Sequence, residues 1–155
     1  MFVVLPSSSG ITEDNGMEGL WFERGCGLEH QGKNTRSITV LLVEDNPMIA
    51  MDIEDILHEH GIEKVRLATT LEDADHHLTD AIDLAVLDFT LGSETAENLA
   101  LRMQTLGIPF VFVSGFAEKL SMQQALKDTP IVVKPFQPED LMAAVNALLY
   151  HLREI

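Results

Sequence analysis

The stretch that decides the fold is Asp83–Thr90, with the sequence DLAVLDFT. Residues 84–87 form a short apolar run of the kind that a buried parallel strand shows. The run ends on Asp88, whose charge is too costly to bury without a partner. A carboxylate at the C-terminal end of a buried strand lies where open α/β sheets bind their ligands. For a lone aspartate a simple capping role is the better interpretation, so the residues at the other strand ends are decisive.

Three further apolar runs predict strands at residues 38–43, 109–113 and 130–133, and residues 65–68 are predicted to form another strand. Capped or amphipathic segments between and after the strands predict helices, at residues 47–60, 70–78, 94–106, 117–126 and 138–155. Short strands that alternate with helices run parallel and are joined by right-handed crossovers. The sequence therefore predicts a doubly wound (βα)5 α/β domain with a parallel five-stranded sheet.

The first 36 residues differ in character from the rest of the chain. They contain a serine run at Ser7–Ser9 and several glycines, and no helical or alternating apolar pattern persists. We therefore expect a flexible N-terminal extension over residues 1–36 and a folded domain over residues 37–155. Docking of the apolar pair Trp21 and Phe22 on the domain or on a partner is the less favoured alternative.

Composition limits the classes of partner and compartment. The formal net charge of -15 should repel nucleic acid and anionic membrane surfaces, so we expect neither as a direct partner. Cys26 is the only cysteine, which excludes an intramolecular disulfide and a cysteine-based metal site. No basic leader or long apolar run is present, and we expect a cytoplasmic protein.

Polar residues follow four of the predicted strands, at the edge where parallel strands end together. They are Glu44 and Asp45, Asp88, Ser114, and Lys134. Three neighbouring carboxylates repel one another, and Mg²⁺ is a hard cation that oxygen ligands of this kind bind. A lysine and a hydroxyl suit phosphate oxygens, and an aspartate can attack phosphorus to form an acyl phosphate. Each residue alone has a simpler structural explanation, but their convergence predicts a magnesium-dependent phosphoryl site.

These residues resemble the receiver domain of two-component response regulators. The matching segments are LVEDN at residues 42–46, Asp88, Ser114–Gly115 and Lys134–Phe136. The resemblance covers about residues 37–155. It implies a flavodoxin-like fold with the strand order 2-1-3-4-5.

The resemblance also implies a role for each residue of the site. Asp88 would accept a phosphoryl group from a histidine of a sensor kinase or phosphotransfer protein, in a signalling protein rather than an enzyme. Asp45, Asp88 and the backbone carbonyl of Thr90 would ligate Mg²⁺, with Glu44 helping through water. Ser114 would contact a phosphoryl oxygen. Lys134 would pair with the phosphate and precede a cis proline, and the aspartyl phosphate would later hydrolyse in the same site.

The chain departs from the usual receiver pattern at the predicted switch. Many receivers carry an aromatic residue three positions before the lysine, where this chain has Ile131. Phe116 instead follows Ser114 by two residues, which resembles the stand-alone receivers of the FAT GUY subgroup. We therefore expect Ser114, Phe116 and Ile131 to form the switch, although Phe116 is also suited to a core position. Gly92 stands where many receivers have proline.

The last predicted helix ends with the chain, so we expect output through contacts with an unknown downstream protein, or withdrawal of phosphate from a pathway. Two other functional classes are open. Phosphohydrolases that use an aspartyl phosphate carry a second aspartate two residues later, but this chain has Thr90 there. A phosphorylation-independent binding module would not need the complete set of site residues, which are Glu44, Asp45, Asp88, Ser114 and Lys134.

Overall fold

A computed structural model describes residues 37–115 and 122–154 of the chain. Seven strands occur in this part: β1 (Thr39–Val43), β2 (Lys64–Ala68), β3 (Leu84–Asp88), β4 (Thr90–Leu91), β5 (Glu94–Thr95), β6 (Phe110–Ser114) and β7 (Ile131–Val133). The five longer strands form one parallel sheet in the order β2-β1-β3-β6-β7. The strands β4 and β5 pair only with each other, in a separate hairpin, so β6 and β7 are the fourth and fifth strands of the large sheet. The predicted parallel sheet and its 2-1-3-4-5 order are therefore confirmed.

Four α-helices lie in the described residues: α1 (Pro47–Glu59), α2 (Leu71–His77), α3 (Glu97–Leu106) and α4 (Pro138–Glu154). Asn46 caps α1, since its side-chain oxygen accepts the amides of Met48 and Ile49. Thr70 caps α2 in the same way through the amide of Asp73. Gly107 ends α3 with φ +76°, a left-handed conformation that glycine adopts without strain.

Two hydrophobic cores cover the two faces of the sheet. Because strand side chains alternate, Leu41 and Val43 face one core while Val40 and Leu42 face the other. The first core packs the sheet against α2 and α3, and Phe112 at its centre meets the Phe89 ring edge-on at a centroid distance of 5.3 Å. The second core packs the sheet against α1 and α4. This double coverage holds the strand ends, and hence the candidate site, on a rigid base.

Two predicted helices differ from the structure. The helix predicted over residues 94–106 begins only at Glu97, because Glu94–Thr95 pairs with Thr90–Leu91 as β5 of the hairpin. Of the helix predicted over 117–126, only the last part is described, and there Gln124–Leu126 forms a short 3₁₀-helix. Its i→i+3 bonds make a tighter turn than an α-helix would.

Some predictions fall on residues outside the described part of the chain, which are 1–36, 116–121 and 155. The flexible extension over residues 1–36 and the switch role of Phe116 therefore stay predictions. Among the residues that are described, no helix combines the length and the apolar character needed to cross a membrane.

Candidate functional site

The site is built at the C-terminal edge of the parallel sheet. Three backbone hydrogen bonds continue the strand pairing into or beyond the last residues of the strands. The amide of Glu44 donates to the carbonyl of Ala68 at 3.0 Å, and that of Phe89 to Val113 at 3.1 Å. The amide of Lys134 donates to the carbonyl of Ser114 at 2.9 Å. These bonds fix the backbone at the strand ends from which the functional side chains extend.

Three carboxylates meet at this edge. One oxygen from each of Glu44, Asp45 and Asp88 lies within 4.8 Å of the other two. Glu44 and Asp88 are only 1% and 6% exposed, whereas Asp45 is open to solvent. The cluster is therefore reached from the Asp45 side, and two of its charges are held largely away from water.

Lys134 supplies the positive charge nearest the cluster in the described part of the chain. Its Nζ lies 3.2 Å from Oδ1 of Asp88 and 3.8 Å from Oε1 of Glu44. The side chain is 29% exposed, so the ammonium group bridges the buried acids and solvent. The Lys134–Pro135 peptide bond is cis, as predicted. Lys134 offsets only part of the charge on three acids.

The ionised form of Glu44 is disfavoured in this cluster. Burial raises the pKa of Glu44 to about 7, and the neighbouring Asp88 carboxylate adds to the rise. The amide of Asn46, which donates to Oε2 at 3.3 Å, and the charge of Lys134 lower this pKa without offsetting the rise. Oε1 of Glu44 is buried and has no hydrogen-bond partner. A buried carboxylate oxygen in that position favours a cation or a proton.

The donor set suits a divalent cation. Carboxylate oxygens are the ligands that Mg²⁺ prefers, and it binds through one or two carboxylates with further oxygens from water or phosphate. Oε1 of Glu44 accepts no hydrogen bond, and this together with the repulsion among the three acids favours added positive charge at this place. The residues present therefore fit a magnesium ion, with Asp45 on the solvent side.

Among the other predicted site residues that the structure describes, Ser114 and Thr90 lie at the same edge, whereas Ile131 lies at the opposite end of β7. Ser114 ends β6 fully buried, and its hydroxyl donates to the carbonyl of Gly115 at 3.2 Å. Thr90 begins β4 two residues after Asp88. Ile131 begins β7, half-buried, and packs on the first core opposite Phe112 in the strand register.

One contact of the site was not predicted from the sequence. The backbone amide of Gly92 donates to Oδ2 of Asp45 at 3.0 Å across 47 positions of sequence. A backbone donor leaves no side-chain signal in a sequence. The glycine in place of the more usual proline was the only available indication.

A groove runs from the site along α1. It has a volume of about 680 Å³ and lies between α1 and the residues that follow β7. Three acids, Asp52, Asp55 and Glu59, line its α1 side, together with Ile49 and Ile56. Its other side is made of residues from Lys134 onward, namely Lys134, Pro135, Phe136 and Pro138. The groove therefore combines an apolar floor with an acidic wall and leads to the lysine of the site.

Comparison with known proteins gives a consistent set of relatives. The family model of the response regulator receiver domain matches residues 40–146. The solution structure of SdrG from Sphingomonas melonis Fr1 is 35% identical, and the match covers 74% of this chain and 98% of that chain with a TM-score of 0.64.

Two PhyR proteins match over part of their length. The phyllosphere-induced regulator PhyR of Methylorubrum extorquens is 24% identical over 118 residues, which are 72% of this chain and 43% of that protein. The crystal structure of the anti-anti-sigma factor PhyR from Bartonella quintana is 26% identical, with 79% of this chain and 51% of that chain covered and a TM-score of 0.64. The chain spans about half the length of the curated relatives it matches.

Proposed function

The chain belongs to the response regulator receiver domain family, and from this premise we propose that Asp88 accepts a phosphoryl group from a histidine of a sensor kinase or phosphotransfer protein. The acceptor belongs to a cytoplasmic signalling protein whose phosphorylated state is read by another protein. The observation that carries the proposal is the position of Asp88, which is nearly buried between two further carboxylates and an ammonium group 3.2 Å away.

The chemistry follows from these charges. A carboxylate oxygen of Asp88 attacks the phosphorus of phosphohistidine, a P–O bond forms, and the P–N bond to the imidazole breaks. The electron pair of that bond returns to the imidazole nitrogen, which the donor protein retains. Lys134 pairs with Asp88 before transfer and stays close enough to pair with a phosphoryl oxygen afterwards. Water later attacks the phosphorus of the acyl phosphate, the P–O bond to Asp88 breaks, and inorganic phosphate leaves as the carboxylate is restored.

Magnesium has a defined place in this proposal. Asp45, Asp88 and the backbone carbonyl of Thr90 would hold the ion, and Glu44 would assist through water. When bound, Mg²⁺ neutralises negative charge on the carboxylates and on the phosphoryl oxygens. The fit of the donor set and the absence of a hydrogen bond to the buried Oε1 of Glu44 support this assignment.

The response to phosphorylation is proposed to begin at Ser114. Its hydroxyl would leave the carbonyl of Gly115 and donate to a phosphoryl oxygen. This movement would pull the segment that follows β6. Ile131 supports a switch without an aromatic ring on β7, because this aliphatic side chain packs on the core. Phe116 would supply the ring instead, as in the FAT GUY subgroup. The partner that reads this change is a protein rather than nucleic acid, in line with the net charge of -15.

Phosphorylation by a small donor tests the proposal directly. The full chain is incubated with acetyl phosphate and Mg²⁺, and the intact mass is measured over time. We expect one added phosphoryl group in the unaltered chain. The Asp88→Asn variant, which keeps the size of the side chain and removes its charge, should show none, and EDTA should suppress labelling of the unaltered chain.

The matched control is Asp128→Asn, which alters an exposed carboxylate in the loop before β7. This variant should be labelled at the rate of the unaltered chain. An adduct that persists in Asp88→Asn, or no adduct in the unaltered chain, would contradict the proposed function.

A further inference from the structure

The hairpin that follows β3 makes a direct contact with the candidate site. Leu91 of β4 pairs with Glu94 of β5, so Gly92 and Ser93 form a two-residue turn. The amide of Gly92 donates to Oδ2 of Asp45 at 3.0 Å. Asp45 follows β1, so this bond joins the first strand end of the site to the loop after the third.

The turn geometry makes the amide available. In a two-residue hairpin the strand pairing closes on the residues flanking the turn, so the amide of the first turn residue lies outside the ladder. Gly92 has φ +61°, the left-handed conformation that this turn position requires and that glycine adopts freely. The N–H group is therefore free of strand pairing.

Asp45 is the member of the cluster that most needs such a contact. Glu44 and Asp88 are held by the packing around them, but Asp45 is exposed and repelled by both. Without a restraint, its carboxylate gains both solvation and distance from the other acids by turning outward. The Gly92 amide binds one oxygen and leaves the other available to a cation.

We propose that the Gly92 amide is a positioning donor that holds Asp45 in the cation-binding orientation before any cation arrives. This inference rests on the proposed function for the identity of the cation. It adds a residue to the site whose contribution comes from the backbone rather than from a side chain. Holding the ligand in place reduces the ordering cost of binding, so removal of the N–H should weaken Mg²⁺ binding.

Replacing one backbone N–H by an ester oxygen tests the proposal with little change of shape. Glycolic acid is incorporated in place of Gly92 in the full chain, and the Mg²⁺ dissociation constant is measured by calorimetry without a phosphodonor. We expect the dissociation constant to rise about three- to tenfold, because the ester removes a hydrogen bond to a charged group. This change corresponds to roughly 1 kcal/mol of binding free energy. The control ester at Gly107, whose amide donates to Gln104 at the end of α3, should bind Mg²⁺ as the unaltered chain does.

An Asp45→Asn variant separates positioning from general damage. In an Asp45→Asn background the Gly92 ester should cause a smaller further loss, because its charged partner is gone. In the metal-free chain, Asp45→Asn should speed solvent exchange of the Gly92 amide and leave that of Gly107 unchanged.

The outcomes distinguish the two proposals. If the unaltered chain binds Mg²⁺ and the Gly92 ester binds it equally well, the positioning role is wrong and the proposed function stands. The same conclusion follows if the ester loses as much affinity in the Asp45→Asn background as it does beside the native aspartate. If the unaltered chain does not bind Mg²⁺, both proposals are overturned.

Discussion

The raised pKa of Glu44 lets this buried side chain stay protonated in the pH range of ordinary buffers. Its side chain is 1% exposed, its Oε1 has no hydrogen-bond partner, and burial raises its pKa from 4.5 to about 7. In the unfolded chain the same side chain titrates near its ordinary value. Between these two values the folded state binds a proton that the unfolded state does not.

The pH dependence of stability therefore has a defined sign at this residue. Because the folded-state pKa is above the unfolded one, the free energy of unfolding contributed by Glu44 falls as pH rises from about 4.5 to 7. With one pKa unit worth about 1.4 kcal/mol, the total fall is on the order of 3 kcal/mol. Urea denaturation in EDTA at several pH values measures it, and Glu44→Gln, which mimics the protonated side chain, should remove this component.

Added Mg²⁺ provides the complementary test at the same residue. A cation in the cluster favours the ionised carboxylate, so it should restore stability at pH 8 and have less effect at pH 5. Equal slopes of stability against pH for the unaltered chain and Glu44→Gln would contradict the assigned burial effect.

At the residue scale, the sequence predicted which side chains converge but not how their charges balance. Asp88, Asp45 and Lys134 were identified because each follows a strand that could be recognised from its apolar run. The burial of Glu44 beside exposed Asp45 depends on which of two consecutive residues turns inward, and the sequence pattern offers no basis for that choice. The contact of Gly92 depends on a backbone group and on a turn 47 positions away.

At the scale of elements, α3 holds the segment that leads from the site region into β7. Oε2 of Glu97 accepts the amide of Gln123 at 2.6 Å, and the side chain of Gln104 donates to the carbonyl of Ala125 at 3.2 Å. Met122 and Leu126 anchor the same segment in the first core. Two polar contacts and two buried side chains thus fasten residues 122–126 onto one helix.

Loss of the Glu97 contact should loosen this segment. We expect Glu97→Ala to speed amide hydrogen exchange at residues 123–126 about five- to tenfold, because a charge-assisted bond at a partly exposed site contributes about 1 kcal/mol. Glu139→Ala is the matched control, since it also removes an acid from the first turn of a helix. Exchange at 123–126 should be unaltered in the control. Equal exchange in both variants would show that the Glu97 contact does not hold the segment, which would then depend on the Gln104 contact and the buried side chains.

The elements that the sequence predicted best are those with long apolar patterns. The strands β1, β3 and β6 and the helices α1 and α4 have enough buried positions to be recognised from their apolar patterns. The hairpin of β4 and β5 was missed because its strands have two residues each and no alternating pattern can develop. Glu94 and Thr95 were assigned to α3 because no proline or glycine separates them from Glu97, whereas their pairing with Leu91 and Thr90 decides their conformation.

At the scale of the whole molecule, we expect the net charge and the groove beside Lys134 to select the kind of partner that reaches Asp88. The chain carries a formal charge of -15, and the groove that leads to Lys134 has Asp52, Asp55 and Glu59 along one wall. Oppositely charged surfaces raise the rate of encounter and favour the correct orientation. A protein phosphodonor with basic side chains beside an apolar ridge would fit this groove, whereas acetyl phosphate needs no docking surface.

Reversal of the groove charge should therefore separate the two kinds of donor. In the double variant Asp52→Lys, Asp55→Lys we expect phosphoryl transfer from a phosphorylated sensor kinase to slow about tenfold, because like charges replace opposite ones at the docking wall. The kinase is chosen from a panel by its rate with the unaltered chain. Labelling by acetyl phosphate should keep its rate within about twofold, since the Asp88 cluster is untouched.

The control for this experiment is Glu63→Lys, Asp128→Lys, which changes the net charge by the same amount at exposed positions outside the groove. If the control slows the kinase reaction as much as the groove variant, long-range attraction governs the encounter and the groove is not the docking wall. If the groove variant also loses labelling by acetyl phosphate, the substitutions have disturbed the cluster itself. Slower transfer from the kinase alone, with both controls intact, is the result that assigns α1 to partner recognition. Raising the salt concentration should then reduce the difference between the unaltered chain and the groove variant, because screening weakens exposed charge pairs.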